Sequence, residues 1–134
     1  MKEEIKKILF GKQPKQLLKP LWGEPLAELI RRITGRDLPT FALMGSPEAT
    51  VISVVDGYFC YKSNMEYLAD KDIFRRILKA RNYDSKSEEE ILKANPKDLL
   101  GFIKLILKAE GQIEQLSSES INNLISKYRE IRGV

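Results

Sequence analysis

The side chains that most often carry catalysis are scarce in this sequence of 134 residues. It contains no histidine and a single cysteine, Cys60. Without histidine, Ser-His and Cys-His nucleophile pairs, imidazole general bases and histidine-containing zinc sites are excluded. One cysteine excludes thiolate metal clusters and an internal disulfide. The two common glycine-rich nucleotide-binding motifs are also missing. We therefore predict no catalytic, cofactor or metal site and a protein that is not an enzyme.

Carboxylates are the remaining candidates for proton transfer or metal binding. Asp70 and Asp72 precede a predicted helix, and Glu88 to Glu90 lie in the first turn of another. Acidic residues at these positions complement the helix dipole, so a structural role is favoured. Cys60 has no basic neighbour in sequence, and we expect a small buried side chain there rather than a nucleophile.

Basic residues are concentrated at the N-terminus, where the first 20 residues contain six lysines and two glutamates. Such a segment can form a phosphate-facing patch or a solvated surface. Aromatic residues are not interleaved with these charges, which argues against stacking on single-stranded nucleic acid. Nucleic-acid binding is therefore the alternative function, with candidate phosphate contacts at Lys6, Lys7, Lys12, Lys15, Arg31 and Arg32.

The overall composition is that of an ordinary globular protein, with 43% hydrophobic and 31% charged residues. No apolar run approaches the length of a membrane span, and the lysine-rich start lacks a signal-peptide pattern. We expect a cytoplasmic protein. A Lys/Glu-rich chain without histidine is also compatible with a thermophilic source.

The strongest local pattern is a predicted β-hairpin. Two β-rich runs, 50–55 and 58–62, are separated only by Asp56-Gly57, which suits a two-residue type I′ turn. The apolar run 40–44 is interpreted as a neighbouring strand. The sequence therefore predicts an α+β fold, with a small antiparallel sheet (strand 40–44 plus the hairpin 50–62) packed against helices and followed by a helical C-terminal part.

The two faces of this hairpin are both apolar. Alternation places one set of residues on the predicted core face, namely Ile52, Val54, Phe59 and Tyr61. The opposite face holds Val51, Val55, Tyr58 and Cys60. This second face needs a cover, which is either a helix of the same chain or a second chain. We therefore predict a protein partner or a homodimer, with interaction residues Val51, Val55, Tyr58 and, on the apolar helix 99–107, Phe102.

The remaining pattern is helical. Apolar residues recur with helical spacing over about 24–34 and 65–80, and again from Asn95 to Gly111. Ser87 and Ser118 are the predicted N-caps of two further helices. The sequence predicts two parts, an α+β domain over 1–82 and a helical extension over 83–134 that packs with it as one unit.

Residues 25–78 resemble a PATAN-type domain, a small α+β module of bacterial response regulators and of gliding or pilus-related regulatory proteins. The family pattern is a leading helix, a strand, a strand-DG-strand hairpin and an aliphatic helix. The matching segments are Leu26–Ile30, Phe41–Leu43, Val54–Phe59 and Ile73–Leu78. This resemblance implies an interaction module rather than an enzyme.

Two further features bear on this resemblance. The glycine-glutamate pair usual before the last helix of the family is replaced here by Ala69-Asp70-Lys71-Asp72. The C-terminal stretch ILKAEGQIEQLSSESI is similar to helix–turn–helix repeats at the N-termini of pilus and secretion ATPases. Together the resemblances imply a regulatory or interaction module of a prokaryotic cytoplasmic system.

Overall fold

The structure is a computed structural model that describes residues 18–112 and 116–134. These residues form seven α-helices and no β-strand. The helices are α1 (Gly23–Thr34), α2 (Thr40–Met44), α3 (Pro47–Asn64), α4 (Asp70–Ala80), α5 (Ser85–Lys93), α6 (Leu99–Ala109) and α7 (Ser118–Arg132). The predicted α+β fold is therefore wrong, and the described part of the chain is all-helical.

The predicted hairpin 50–62 lies within α3, an unbroken helix of 18 residues. Ser46 is its N-cap, where the side-chain oxygen accepts a hydrogen bond from Ala49 N, and Pro47 occupies the first turn. Both are standard helix-start signals. The predicted strand 40–44 is also helical and forms α2. Asp56-Gly57 is thus a helix interior rather than a turn.

The hairpin prediction failed because α3 is buried on most of its circumference. Val51, Ile52, Val54 and Val55 are all completely buried, although they point in different directions around the helix. A helix surrounded by others has no polar stripe, so its sequence lacks the 3.6-residue period. A short apolar run of this kind fits a buried strand equally well.

Helix α3 is the centre of the fold. It contacts α1, α2, α4, α6 and α7, while α5 packs on α4. A single hydrophobic core runs from Leu26 in α1 to Tyr128 in α7. The two predicted parts, 1–82 and 83–134, therefore share this core where the structure describes them.

The spacing of apolar residues predicts the helices that are buried on one side more accurately than it predicts α3. The predicted helix 24–34 is confirmed as α1, which ends at Gly35 in the left-handed conformation with a φ of 73°. The predicted helix 65–80 begins only at Asp70, so α4 is shorter than expected. Within the described residues, no helix is both long enough and apolar enough to cross a membrane.

Three helices have N-caps that differ by one to three residues from the predicted positions, which are Ser87, Asn95 and Ser118. Asp84 rather than Ser87 caps α5, and its carboxylate accepts a hydrogen bond from Ser87 N at 2.7 Å. Asp98 caps α6, and Ser117 caps α7. Each true cap is another residue of the same capping type, which explains the displacement.

Candidate functional site

The predicted interaction residues lie in or against the core. Val51, Val55 and Phe102 are completely buried, and Tyr58 is half-buried. The Tyr58 hydroxyl donates a hydrogen bond to Asp70 Oδ1 at 2.9 Å. Burial, with a contribution from Asp70, raises the pKa of Tyr58 to about 12. Val51, Val55 and Phe102 are therefore part of the core of the isolated chain, and only Tyr58 is partly accessible to solvent.

The predicted phosphate contacts are only partly described. Lys6, Lys7, Lys12 and Lys15 lie outside the described residues. Arg31 donates hydrogen bonds to Glu24 at 3.2 Å, to Glu28 at 3.3 Å and to Thr40 at 3.1 Å. Its charge is therefore compensated by two carboxylates, while Arg32 is exposed. The Arg31 guanidinium is thus already bound to two carboxylates, which makes it a poor candidate for a phosphate contact.

The carboxylates considered for proton transfer or metal binding lie in the first turns of helices or form ion pairs. Asp70 and Asp72 lie in the first turn of α4. Arg75 donates to both Glu88 and Glu89 at 2.7 Å, and this pairing lowers the pKa of the Glu89 carboxyl. No group of three or more potential metal ligands occurs among the residues that the structure describes.

A buried acidic residue that the sequence interpretation missed lies at the centre of the fold. Asp56, predicted at a hairpin turn, is only 2% exposed in the middle of α3. Its Oδ1 accepts a hydrogen bond from the Tyr128 hydroxyl at 2.5 Å, and its Oδ2 accepts one from Leu21 N at 2.8 Å. Arg132 Nε lies 3.8 Å from Oδ1. With Cys60, these residues form what we call the Asp56 cluster.

The protonation states of the Asp56 cluster follow from its burial. Burial and the neighbouring Asp56 carboxylate raise the pKa of the Cys60 thiol to about 11. The same two causes raise the pKa of the Tyr128 hydroxyl above its usual value. Both groups are protonated at neutral pH and act as donors toward Asp56. A protonated, buried thiol is a poor nucleophile, so the cluster stabilises the structure and offers no activated group.

Side chains in and near the Asp56 cluster bind a segment without regular secondary structure, residues 18–22, which we call the strap. Asn64 Nδ2 donates to the Leu18 carbonyl at 3.0 Å, and Arg132 Nη2 donates to the Lys19 carbonyl at 2.7 Å. Leu21 N donates to Asp56, as described above. Side chains of α3 and α7 therefore bind three backbone groups of the strap.

A small cavity of about 50 Å³ lies beneath the strap. Its walls come from the strap, α1, α3 and α4, and they are formed by Pro20, Leu21, Trp22, Leu26, Ser53, Asp56, Gly57, Tyr61, Ile77, Ala80 and Arg81. Most of this lining is apolar. Arg81 donates to Ser53 Oγ at 2.8 Å, but its buried Nε has no hydrogen-bond partner among the described residues. The strap therefore covers its groove without filling it.

A second distinctive surface lies on α2 and just before it. Phe41 is 82% exposed, with Leu38 and Met44 also exposed at a spacing of three residues on either side. Leu43 is the only residue of α2 that is buried. We call Leu38, Phe41 and Met44 the α2 surface.

Comparison with protein-family models, curated proteins and solved structures finds no match to this chain.

Proposed function

We propose that the chain is a non-enzymatic protein-interaction module that binds its partner through the α2 surface. The observation that supports this proposal is the exposure of Phe41, which presents 82% of its surface from within a helix. Single exposed apolar residues are ordinary on protein surfaces. Here three of them follow one another at a spacing of three residues, and clusters of exposed apolar residues are typical of interaction sites.

The α2 surface is held in place, which favours binding. The Pro39 carbonyl accepts hydrogen bonds from Ala42 N and Leu43 N, and Ser46 Oγ donates to the Leu43 carbonyl at 2.6 Å. On the other side, Thr40 donates to a carboxylate oxygen of Glu24 in α1. A surface that is already ordered loses little conformational entropy when a partner binds. These bonds therefore fix the backbone from which the Phe41 side chain projects.

We expect a photo-crosslinking amino acid at position 41 to capture a partner protein of defined mass in the native cells. Tyr67, which is 83% exposed outside any helix, provides the matched control position. A specific adduct from position 41, with none from position 67, supports the proposal, and an adduct of twice the chain mass would make the partner a second copy. No adduct from position 41, or the same adducts from both positions, would contradict it.

Nucleic-acid binding remains the alternative function. It depends on a lysine-rich segment most of which lies outside the described residues, and the compensated charge of Arg31 does not favour it. Salt separates the two functions, because binding to phosphates weakens steeply as salt rises whereas an apolar contact does not. The regulatory role in a prokaryotic cytoplasmic system, which the PATAN-type resemblance implies, remains a prediction.

A further inference from the structure

We propose that a surface formed by Trp22, Tyr61, Arg76 and Lys79 binds single-stranded nucleic acid, with its cations at phosphates and its aromatic rings against bases. We call these four residues the Trp22 surface. They belong to the strap, α3 and α4, and none of them is part of the α2 surface or of the predicted phosphate contacts. The inference therefore goes beyond the proposed function, because it assigns a second site whose partner has a different chemistry.

The first argument is that the fold brings aromatic and basic side chains together. Trp22 and Tyr61 line the same cavity, along with Ala80 of α4. The guanidinium carbon of Arg76 lies 5.9 Å from the centre of the Tyr61 ring, in a cation–π contact, and Arg76 precedes Ala80 by about one helical turn. The N-terminal sequence does not interleave aromatic residues with its lysines. The packing of α4 on α3 places the two kinds of side chain side by side.

The second argument is that Trp22 is exposed on a backbone that is held in place. The side chain of Trp22 is 64% exposed and makes no capping bond to α1. The residue before it is fixed, because Leu21 N donates to Asp56 Oδ2 at 2.8 Å. A large ring on an ordered backbone loses little conformational entropy when a base stacks on it. Trp22 is therefore suited to stacking.

The third argument is that the two cations of the Trp22 surface are uncompensated. Arg76 and Lys79 are exposed, and neither forms an ion pair with another residue of the described ranges. In contrast, the guanidinium of Arg75 donates to two carboxylates of α5 at 2.7 Å. Asp72 lies in the same shallow depression as Arg76 and Lys79, in the first turn of α4, where it complements the helix dipole. The surface therefore keeps an excess of positive charge.

The fourth argument identifies the partner as a polymer of phosphates. Residues 1–17 contain five lysines and two glutamates, and they join the described chain at Leu18. The Leu18 carbonyl accepts a hydrogen bond from Asn64, at the same end of α3 as Tyr61. Positive charge that continues along the chain in this way suits a polyanion. Exposed aromatic rings favour nucleic acid over an acidic protein segment, and they favour a single strand over a duplex because unpaired bases are free to stack.

The test measures the binding of a fluorescently labelled oligothymidylate of about 12 nucleotides to the full chain by anisotropy. We expect a dissociation constant of about 10 µM or lower at about 50 mM salt. An abasic oligodeoxyribose phosphate of the same length keeps the charges and lacks the bases, so it should bind at least about fivefold more weakly. Trp22 is the only tryptophan of the chain, and oligothymidylate should quench its fluorescence whereas the abasic polymer should not.

Single variants separate the contacts to phosphates from the contacts to bases. Lys79→Gln should reduce the slope of log affinity against log salt by about 0.7, the value for one phosphate of a single strand. Lys127→Gln, at an exposed position of α7, is the matched control and should leave the slope unchanged. Trp22→Ala should weaken oligothymidylate binding at least about fivefold and leave the slope unchanged. Circular dichroism establishes that each variant is folded.

Four results would overturn the proposal: no binding at about 50 mM salt, equal affinity for the abasic polymer, no quenching of Trp22, or equal effects of Lys79→Gln and Lys127→Gln. Quenching is measured on the unmodified chain, so it also decides the outcome if Trp22→Ala fails to fold. Tighter binding of a polyglutamate peptide would make the partner an acidic protein segment instead. Phe41→Ser should leave oligothymidylate binding unchanged, so failure of this proposal and failure of the proposed function are distinguishable.

Discussion

Replacing Asp56 with alanine is expected to lower the free energy of unfolding by about 3–5 kcal/mol, the usual range for breaking a buried charged pair. The substitution leaves the Tyr128 hydroxyl and the Leu21 N–H without their acceptor. It also removes the nearest carboxylate to Arg132, at 3.8 Å. A buried donor that loses its partner costs its full desolvation free energy.

Urea denaturation of the Asp56→Ala variant measures this loss. Asp37→Ala is the matched control, because Asp37 is exposed in the segment between α1 and α2 and should change stability by less than about 0.5 kcal/mol. Equal stability losses in the two variants would show that Asp56 is not the buried centre of the fold.

The second large effect is expected for Phe102→Ala, which should cost about 3–5 kcal/mol of unfolding free energy. Phe102 in α6 is completely buried, and its ring stacks on Phe74 of α4 with centroids 4.1 Å apart. Truncation opens a cavity and removes this stacking contact between α4 and α6. The loss of unfolding free energy in Phe102→Ala therefore shows how much the packing between α6 and α4 contributes to stability.

Circular dichroism during thermal and urea unfolding checks this prediction, with Phe41→Ala as the control for an exposed phenylalanine. We expect a single transition in which all helices unfold together, at a lower midpoint for Phe102→Ala only. A loss below about 1 kcal/mol, or separate unfolding of residues 83–134, would contradict the shared core.

The sequence predicted those elements that are buried on one side. The stripe Leu26, Leu29, Ile30 and Ile33 has helical spacing, and its residues are buried in α1 as expected. Ile73, Phe74, Ile77 and Leu78 behave in the same way in α4. In both helices one side faces the core and the other faces solvent. Apolar residues therefore recur with the helical period, and the sequence alone is enough to predict a helix.

The same reasoning failed for α3 because no such boundary exists there. Val51, Val54 and Val55 are β-branched and fully buried, which favours a strand in local statistics. Packing against five other helices overrides that local preference. The composition of Ser46-Pro47-Glu48 also suits a turn, although in the structure these residues begin α3. The β-branched residues favour a strand and the Ser46-Pro47 pair favours a helix, so the local sequence is ambiguous. Packing against the other helices stabilises the helix.

The Asp56 cluster could not be predicted from sequence, because its partners are remote. Leu21 and Tyr128 are separated from Asp56 by 35 and 72 residues. One signal was present, namely an acidic residue next to a run of valine and isoleucine. If that run is buried, the acid needs a donor elsewhere in the chain. The exposure of Phe41 also depends on packing, since an apolar residue in a short helix is more often buried.

The most direct test of an all-helical core centred on α3 is the stability of the Gly57→Ala variant. In a type I′ hairpin turn Gly57 would have a positive φ, and alanine would destabilise the protein by about 1 kcal/mol or more. In α3 its φ is not positive, and an added Cβ would lie 3.4 Å from Ile77 Cγ1, an ordinary contact. Alanine is favoured over glycine in a helix interior by about 1 kcal/mol. We predict that urea denaturation will find Gly57→Ala as stable as the unmodified chain or more stable by up to about 1 kcal/mol; a loss of about 1 kcal/mol or more would contradict the helix.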